Sequence, residues 1–299
     1  MERTEAQKYK GMIFAIIGGI FWGLAGVFGQ YLFVNHGLNA KWLVSVRLLL
    51  AGVMLLIPVM IKEKKQVFAL WKEKKNIPTI FLFAIFGMGL CQLAYYTAVQ
   101  FSNAGTATVI QYTGPAMIMV YFCIRYRRKP QFMQVLALIM AMAGVFLLAT
   151  KGDVTSLNIS PTALVWGILS AIALAAYNLI PVNLMAKYGT LSVIGWGMLL
   201  AGIMMAAYVR PWHIIGTWDW KAVGALAVVV IVGTILSFAF YMEGVRLTGA
   251  QTASLIASVE PVTATVATVL MMGVAFTMPE VIGIVIIIIA VIILSLKSD

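Results

Sequence analysis

The feature that most constrains this chain is the recurrence, from one end to the other, of apolar runs long enough to cross a lipid bilayer. A helix rises ~1.5 Å per residue, so about 20 apolar residues match a hydrocarbon layer of ~30 Å. Runs of that kind fall at 11–34, 42–61, 78–98, 104–124, 131–150, 161–185, 191–209, 221–243, 250–273 and 280–296, with short loops between them. They predict an all-α integral membrane protein with ten transmembrane helices. At 62% hydrophobic and 10% charged residues, the 299-residue chain carries more apolar surface than a water-soluble core absorbs. The opening MERTEAQKYK is short, mixed in charge and leads straight into a full span, so no cleaved signal peptide is expected and the first helix stays.

Cations set the expected orientation, because short cytoplasmic loops collect Lys and Arg. With the N-terminus inside, sixteen cations fall on inner segments, among them six lysines between Lys62 and Lys75 and the group Arg125, Arg127, Arg128 and Lys129. Four fall on outer loops: Lys41, Lys151, Arg210 and Lys221. Both termini are therefore expected to be cytoplasmic. The same clustering accounts for the formal charge of +11 without a nucleic-acid partner, and it suits the anionic headgroups of the lipid bilayer. In KEKKQVFALWKEKK, charges bracket Val67, Phe68, Leu70 and Trp71, which predicts a short helix lying in the membrane interface. Cys91 and Cys123 lie in different spans and read as small apolar packers rather than as a disulfide or metal pair.

Sliding the chain on itself exposes an internal repeat. At an offset of 146 residues, Tyr95, Val99, Ala104, Thr106, Ala107, Ile110 and Pro115 fall on Tyr241, Val245, Ala250, Thr252, Ala253, Ile256 and Pro261, all identical, and Gly87 falls on Gly233. Residues 1–150 form the first five-helix repeat and 151–299 the second. Five spans is an odd number, so the second half enters the membrane in the opposite sense, giving an inverted 5+5 repeat of the kind found in secondary transporters. The site in such folds lies near the midplane where the halves meet. Pro115 and Pro261, the paired helix-break prolines, mark that place.

Glu260 is the polar residue that most needs a reason. About ten residues of its run precede it, placing it roughly 15 Å deep, and intramembrane carboxylates face a cavity or a partner rather than lipid. Pro261 removes a backbone donor beside it and frees carbonyls for a substrate, a water or a side chain. A structural Glu that only ties helices together is the duller alternative. Other interior polar and aromatic groups gather on a few spans, and the expected substrate-binding set is Trp22, Tyr95, Gln111, Asn178, Tyr241 and Glu260. Trp22, Tyr95 and Tyr241 also fit a packing role, and Gln111 and Asn178 also fit helix-to-helix hydrogen bonding. Spacing puts Gln111 and Gly114 on one face of helix four and their equivalents Ala257 and Glu260 on one face of helix nine, so the two faces are expected to meet across the cavity. Arg47, about five residues into its span, is expected to snorkel to the outer interface in a structural or gating role. Ala137, Ala141 and Gly144 on helix five suit close packing with another helix, in this chain or in a second copy, so monomer and homodimer both stay open.

The order of these motifs resembles a known family. Ten spans in a five-plus-five repeat, Gly19-Ile20-Phe21-Trp22-Gly23 in the first, Arg47 early in the second, Asn103-Ala104-Gly105-Thr106-Ala107 opening the fourth and the Glu260-Pro261 pair are together similar to the drug/metabolite transporter superfamily in its EamA branch. The resemblance covers nearly the whole chain. It implies small-molecule transport by alternating access, a central cavity lined by helices 1, 3, 4, 6, 8 and 9 with helices 5 and 10 peripheral, and a multi-pass place in a bacterial cytoplasmic cell membrane. Family members often carry an acid just before the last helix of each half, where this chain has Arg128-Lys129 and Thr277-Met278.

A midplane acid among aromatics and amides suits a small compound with a positive amino group. The expected activity is gradient-driven export of amino acids or related amino-group-bearing metabolites, with Glu260 pairing the ammonium. The same carboxylate could carry a proton and couple transport to the proton gradient. An exporter of lipophilic cations or drugs and a metabolite importer are the alternatives within transport. A membrane-embedded enzyme or structural subunit is the alternative outside it. His36 and His213 lie in outer loops, and no catalytic constellation, metal-ligand set or phosphate-cradling loop is seen, so no catalytic residue, metal or cofactor is expected.

Overall fold

The computed structural model describes residues 5–63, 67–102, 104–156, 160–272 and 276–296, and among them the ordered elements are all helical. Nine helices among these residues are long and apolar enough to cross a membrane: Glu5–His36, Ala40–Lys62, Lys74–Phe101, Thr106–Tyr126, Phe132–Thr150, Pro161–Tyr188, Thr190–Val209, Trp220–Thr248 and Ala250–Leu270. They are called the first to ninth spans below. A further apolar helix, Met278–Leu296, comes after them.

Local chemistry explains where these helices begin and end. Ser160 caps the sixth span by accepting the Ala163 N–H at 3.1 Å, with Pro161 in the first turn, and Asp219 caps the eighth by accepting the Ala222 N–H at 2.7 Å. Single glycines reverse the chain between the sixth and seventh spans and between the eighth and ninth. Gly189 has φ 84° and Gly249 φ 100°, conformations a side chain would strain. Each donates its N–H four residues back, to Met185 and Val245, which closes the preceding helix.

Four spans are irregular where they cross the middle of the bundle. The third widens to a π-helix over Phe83–Gly89 and the eighth over Ile231–Leu236. The fourth turns at Tyr112 and Thr113, and the ninth at Ala257 and Ser258. In the last two the cause is local, because Pro115 and Pro261 cannot donate to the carbonyls of Gln111 and Ala257 four residues earlier.

The first span packs along the eighth and ninth, the second along the seventh, the third along the sixth, and the fifth along Met278–Leu296. Because lipid is as apolar as a leucine side chain, such contacts depend on close packing, which small residues allow. A Cβ on Gly23 would lie 2.4 Å from the Glu260 carbonyl oxygen, and one on Gly144 2.5 Å from Ile287 Cγ1. Ala137, Ala141 and Gly144 are thus buried inside this chain, Gly144 against the last helix.

One expectation gains detail here and one needs correction. The segment containing Val67 and Leu70 does form a short helix, Ala69–Lys72, and it docks on protein. Val67 and Leu70 are fully buried, Trp196 Nε1 donates to the Val67 carbonyl at 2.9 Å, and the Trp71 and Trp196 rings meet edge to face at 5.1 Å. Gly114 does not share a cavity face with Gln111. The turn at Tyr112 and Thr113 breaks the helical register between them, and Gly114 packs against Ala171 and Leu174 of the sixth span. Asn103 and, within the cation count, Arg3, Lys64, Lys65 and Lys297 lie outside the described residues.

Candidate functional site

The ninth span builds the site around its break. The helix stops at Ile256 and restarts at Val259, which puts Glu260 in the first turn of the new segment, at the positive end of its backbone dipole. The Ala257 carbonyl, which Pro261 cannot satisfy, accepts the Glu260 N–H at 2.9 Å and the Tyr112 hydroxyl at 2.8 Å. Tyr112 sits in the turn of the fourth span, so one hydrogen bond ties the two breaks together.

Beside them opens a cavity of about 770 Å³, its mouth included, whose wall contains Trp22, Tyr95, Gln111, Pro115, Tyr241 and Glu260. Five of the six expected binding residues therefore line one space. Asn178 does not. It is fully buried, donates to the Leu174 carbonyl at 2.9 Å and accepts the Tyr241 hydroxyl at 2.8 Å, so it orients Tyr241 rather than facing the space. Tyr95 bonds Thr108 at 3.0 Å. Gln92 and Gln111 line the cavity, and neither side-chain amide has a hydrogen-bond partner among the described residues. The Glu260 carboxylate is likewise without a hydrogen bond or ion pair there. Polar groups placed in a cavity wall without protein partners are the ones a ligand or water can use.

Arg47 departs from expectation. It does not snorkel outward. It is 2% exposed, lines the cavity, and donates from Nε to Thr234 Oγ1 at 2.9 Å, from Nη1 to the Tyr96 hydroxyl at 2.6 Å and from Nη2 to the Gly233 carbonyl at 3.1 Å. The π-helix of the eighth span supplies two of these acceptors, and Thr234 in turn donates to the Val229 carbonyl five residues back at 2.8 Å. Such wide turns are frequent at functional sites. Arg47 and Cys91 were thus missed as cavity residues, while Gln92 and Tyr96, legible as interior polar groups of the third span, join the binding set. The signal available was an arginine set inside an apolar run, with a Gln and a Tyr four residues apart on the third span.

A second space continues from the first, sharing Trp22, Gly26, Tyr95 and Glu260 with it, and runs past Pro261 to Lys151 and Glu280. Lys151 Nζ lies 3.2 Å from Glu280 Oε1, while Glu280 Oε2 accepts both the N–H and the hydroxyl of Thr277 at 2.8 Å. Thr277 and Glu280 have the spacing of a helix-capping box, a pattern legible in sequence. On the other side the rings close up: Trp22 meets Tyr241 at 4.7 Å and Phe238 at 4.9 Å, and Tyr177 meets Tyr241 at 6.0 Å between centroids. No cluster of three His, Cys, Asp or Glu among the described residues is placed to hold a metal ion.

Comparison with known proteins gives this geometry a family. The EamA-like transporter family matches residues 9–150 and 161–296. The chain belongs to that family. Among relatives of this EamA chain is an uncharacterized inner membrane transporter of Salmonella typhimurium, YicL, 34% identical over 289 residues that cover 97% of this chain and 96% of the relative. An uncharacterized transporter of Clostridium kluyveri is 23% identical over 290 residues, 94% of this chain and 91% of its own. A solved crystal structure superposes with a TM-score of 0.79 over 96% of this chain and 97% of the other at 13% identity, a likeness of fold. The EamA protein is accordingly a multi-pass protein of the cell membrane and a transporter of small molecules.

Proposed function

We propose that this transporter is a secondary, gradient-driven exporter of small amino-group-bearing metabolites, working by alternating access around Glu260. The observation that carries the reading is the Glu260 carboxylate, set at a helix break in the wall of a cavity rich in aromatic rings and without a protein partner among the described residues. An ammonium would pair with the acid, the faces of Trp22, Tyr95 and Tyr241 would cover the apolar part of the ligand, and Gln111 would hold its remaining polar groups.

In this reading the chain is an inverted 5+5 repeat of ten helices, residues 1–150 and 151–299, with both termini cytoplasmic. The two family matches, the paired breaks at Tyr112–Thr113 and Ala257–Ser258, and the paired π-helices of the third and eighth spans all support it. The cation asymmetry puts Lys151 and Glu280 on the outer side. The continuation of the cavity toward them then fits an outward-open state, with the Trp22, Tyr177, Phe238 and Tyr241 rings as the inner closure. Glu260 is also the group through which a proton would be exchanged for substrate, since one carboxylate serves both in turn.

The test is an untargeted comparison of metabolites inside and outside cells expressing the wild type or Glu260→Gln at matched membrane levels. A small set of amino-bearing compounds accumulating outside with the wild type alone is the expected result. Accumulation inside would make the protein an importer, and identical profiles would leave Glu260 with a structural role. Full gradient-driven transport by Glu260→Gln would end the proton-coupling assignment.

A further inference from the structure

We propose that Arg47 and Tyr96 form a second, anion-accepting subsite in the same cavity, so that the substrate is a small zwitterion whose acid group meets Arg47 while its ammonium meets Glu260. This rests on the Glu260 reading and narrows its substrate class.

The Arg47 guanidinium is almost wholly buried, and all three of its acceptors, Thr234, Tyr96 and the Gly233 carbonyl, are neutral. Neither Arg47 nor Glu260 takes part in an ion pair among the described residues, with each other or with anything else. A buried charge without a counter-charge is costly, and the usual remedy is a paired partner. Here the two opposite charges stand in the wall of one cavity, where the Arg47 charge reaches Glu260 but no ion pair closes between them.

The donors that remain have the right number. A guanidinium has five N–H groups. Three are committed, which leaves one N–H on each Nη, a pair that the two oxygens of a carboxylate can accept. Tyr96 accepts from Arg47, so its own hydroxyl proton is left to donate, and no acceptor for it is found among the described residues. A plain cation would satisfy Glu260 and leave Arg47 bare, and a plain anion would do the reverse. A zwitterion satisfies both, and the Trp22 and Tyr95 rings in the same wall are placed to cover its apolar part.

The experiment uses the purified full-length protein in detergent at neutral pH. Each common α-amino acid is titrated against its decarboxylated amine and its deaminated acid, with ligand-induced thermal shift as the readout. At least one amino acid should bind roughly tenfold or more tightly than both of its analogues, the size expected for losing a charge-assisted bond. Arg47→Gln should erase the advantage over the amine and keep amine binding, Arg47→Lys should keep part of that advantage, and Glu260→Gln should erase the advantage over the acid. Because Arg47→Gln also removes three structural hydrogen bonds, the wild-type ligand series decides the matter if that variant does not fold. An amine that binds as tightly as its amino acid overturns the Arg47 subsite and leaves the Glu260 reading standing. An acid that binds as tightly, with or without Glu260, sinks the Glu260 reading itself. Binding by no member of the panel overturns the zwitterion class.

Discussion

In the fourth span the helix stops at Gln111, turns through Tyr112 and Thr113, and restarts at Gly114 with Pro115 behind it. In the ninth it stops at Ile256, turns through Ala257 and Ser258, and restarts at Val259, two residues ahead of Pro261. The prolines are 146 residues apart, and each withholds the helical N–H donor from the carbonyl one turn earlier. The consequences of the two breaks differ. The residue before Pro115 is a glycine pressed against the sixth span, and the residue before Pro261 is an acid in the cavity wall. Proline makes the break in both places, but the neighbour across from it decides whether a polar group there can be reached by a ligand.

The sharpest way to break that comparison is to exchange the two residues. In Gly114→Glu/Glu260→Gly the carboxylate moves to the fourth span, where even a Cβ would lie 2.8 Å from Leu174 Cδ2 and 3.1 Å from the Ala171 carbonyl. Transport should fall at least ~10-fold below wild type, because overpacking adds to the loss of the acid. Recovery of transport in a vesicle assay would mean that the two breaks are interchangeable and that local geometry alone makes the site.

The turn residues offer a milder contrast. Tyr112 donates to the Ala257 carbonyl at 2.8 Å, whereas the Ser258 hydroxyl, 146 residues later, is buried with no partner among the described residues. Tyr112→Phe should therefore cost about 1 kcal/mol, and Ser258→Ala should be neutral or slightly stabilising. Equal losses of melting temperature in the two variants would show that the Tyr112 bond does not hold the breaks together.

The smallest effect lies away from both breaks, at the basic end. Hydrogen bonding by Lys187 holds the Glu73 carboxyl down from an ordinary 4.5 to about 2. A carboxylate with a depressed folded-state pKa stabilises fully above its unfolded value and loses that contribution as pH falls toward the folded value. The wild type should thus melt slightly above Glu73→Gln at neutral pH, with the gap closing between about pH 4.5 and about pH 2. Because Glu73 is solvent-exposed, the gap should be small. A gap that persists unchanged through that window would remove the ion pair as its cause.

Much of this molecule could be read before folding. The spans follow from runs of about 20 apolar residues, the breaks in the fourth and ninth from their prolines, and the depth of Glu260 from counting. Gln111, Tyr95, Tyr241 and Trp22 were legible as interior polar and aromatic groups, and they do share one cavity. Arg47 was not legible, because five residues of depth suits snorkelling as well as burial, and its acceptors come from the third and eighth spans. Asn178 fitted ligand contact and helix-to-helix bonding equally well, because its type says that it needs a partner without saying which one, and Tyr241 took that role.

Hydrophobicity, proline chemistry and charge counts are properties of a residue and its nearest neighbours in the chain, so the sequence alone determined the membrane class, the span positions and the sites of the breaks. Which buried groups remain unpaired depends on contacts such as Arg47 with Thr234, 187 residues apart. A one-residue shift in a turn or one wide π-helical turn redirects such contacts, as the packing of Gly114 and the acceptors of Arg47 illustrate. That the cavity holds an acid and a guanidinium not paired with each other was therefore decided by the tertiary structure, because only packing determines which donors and acceptors are used up within the protein.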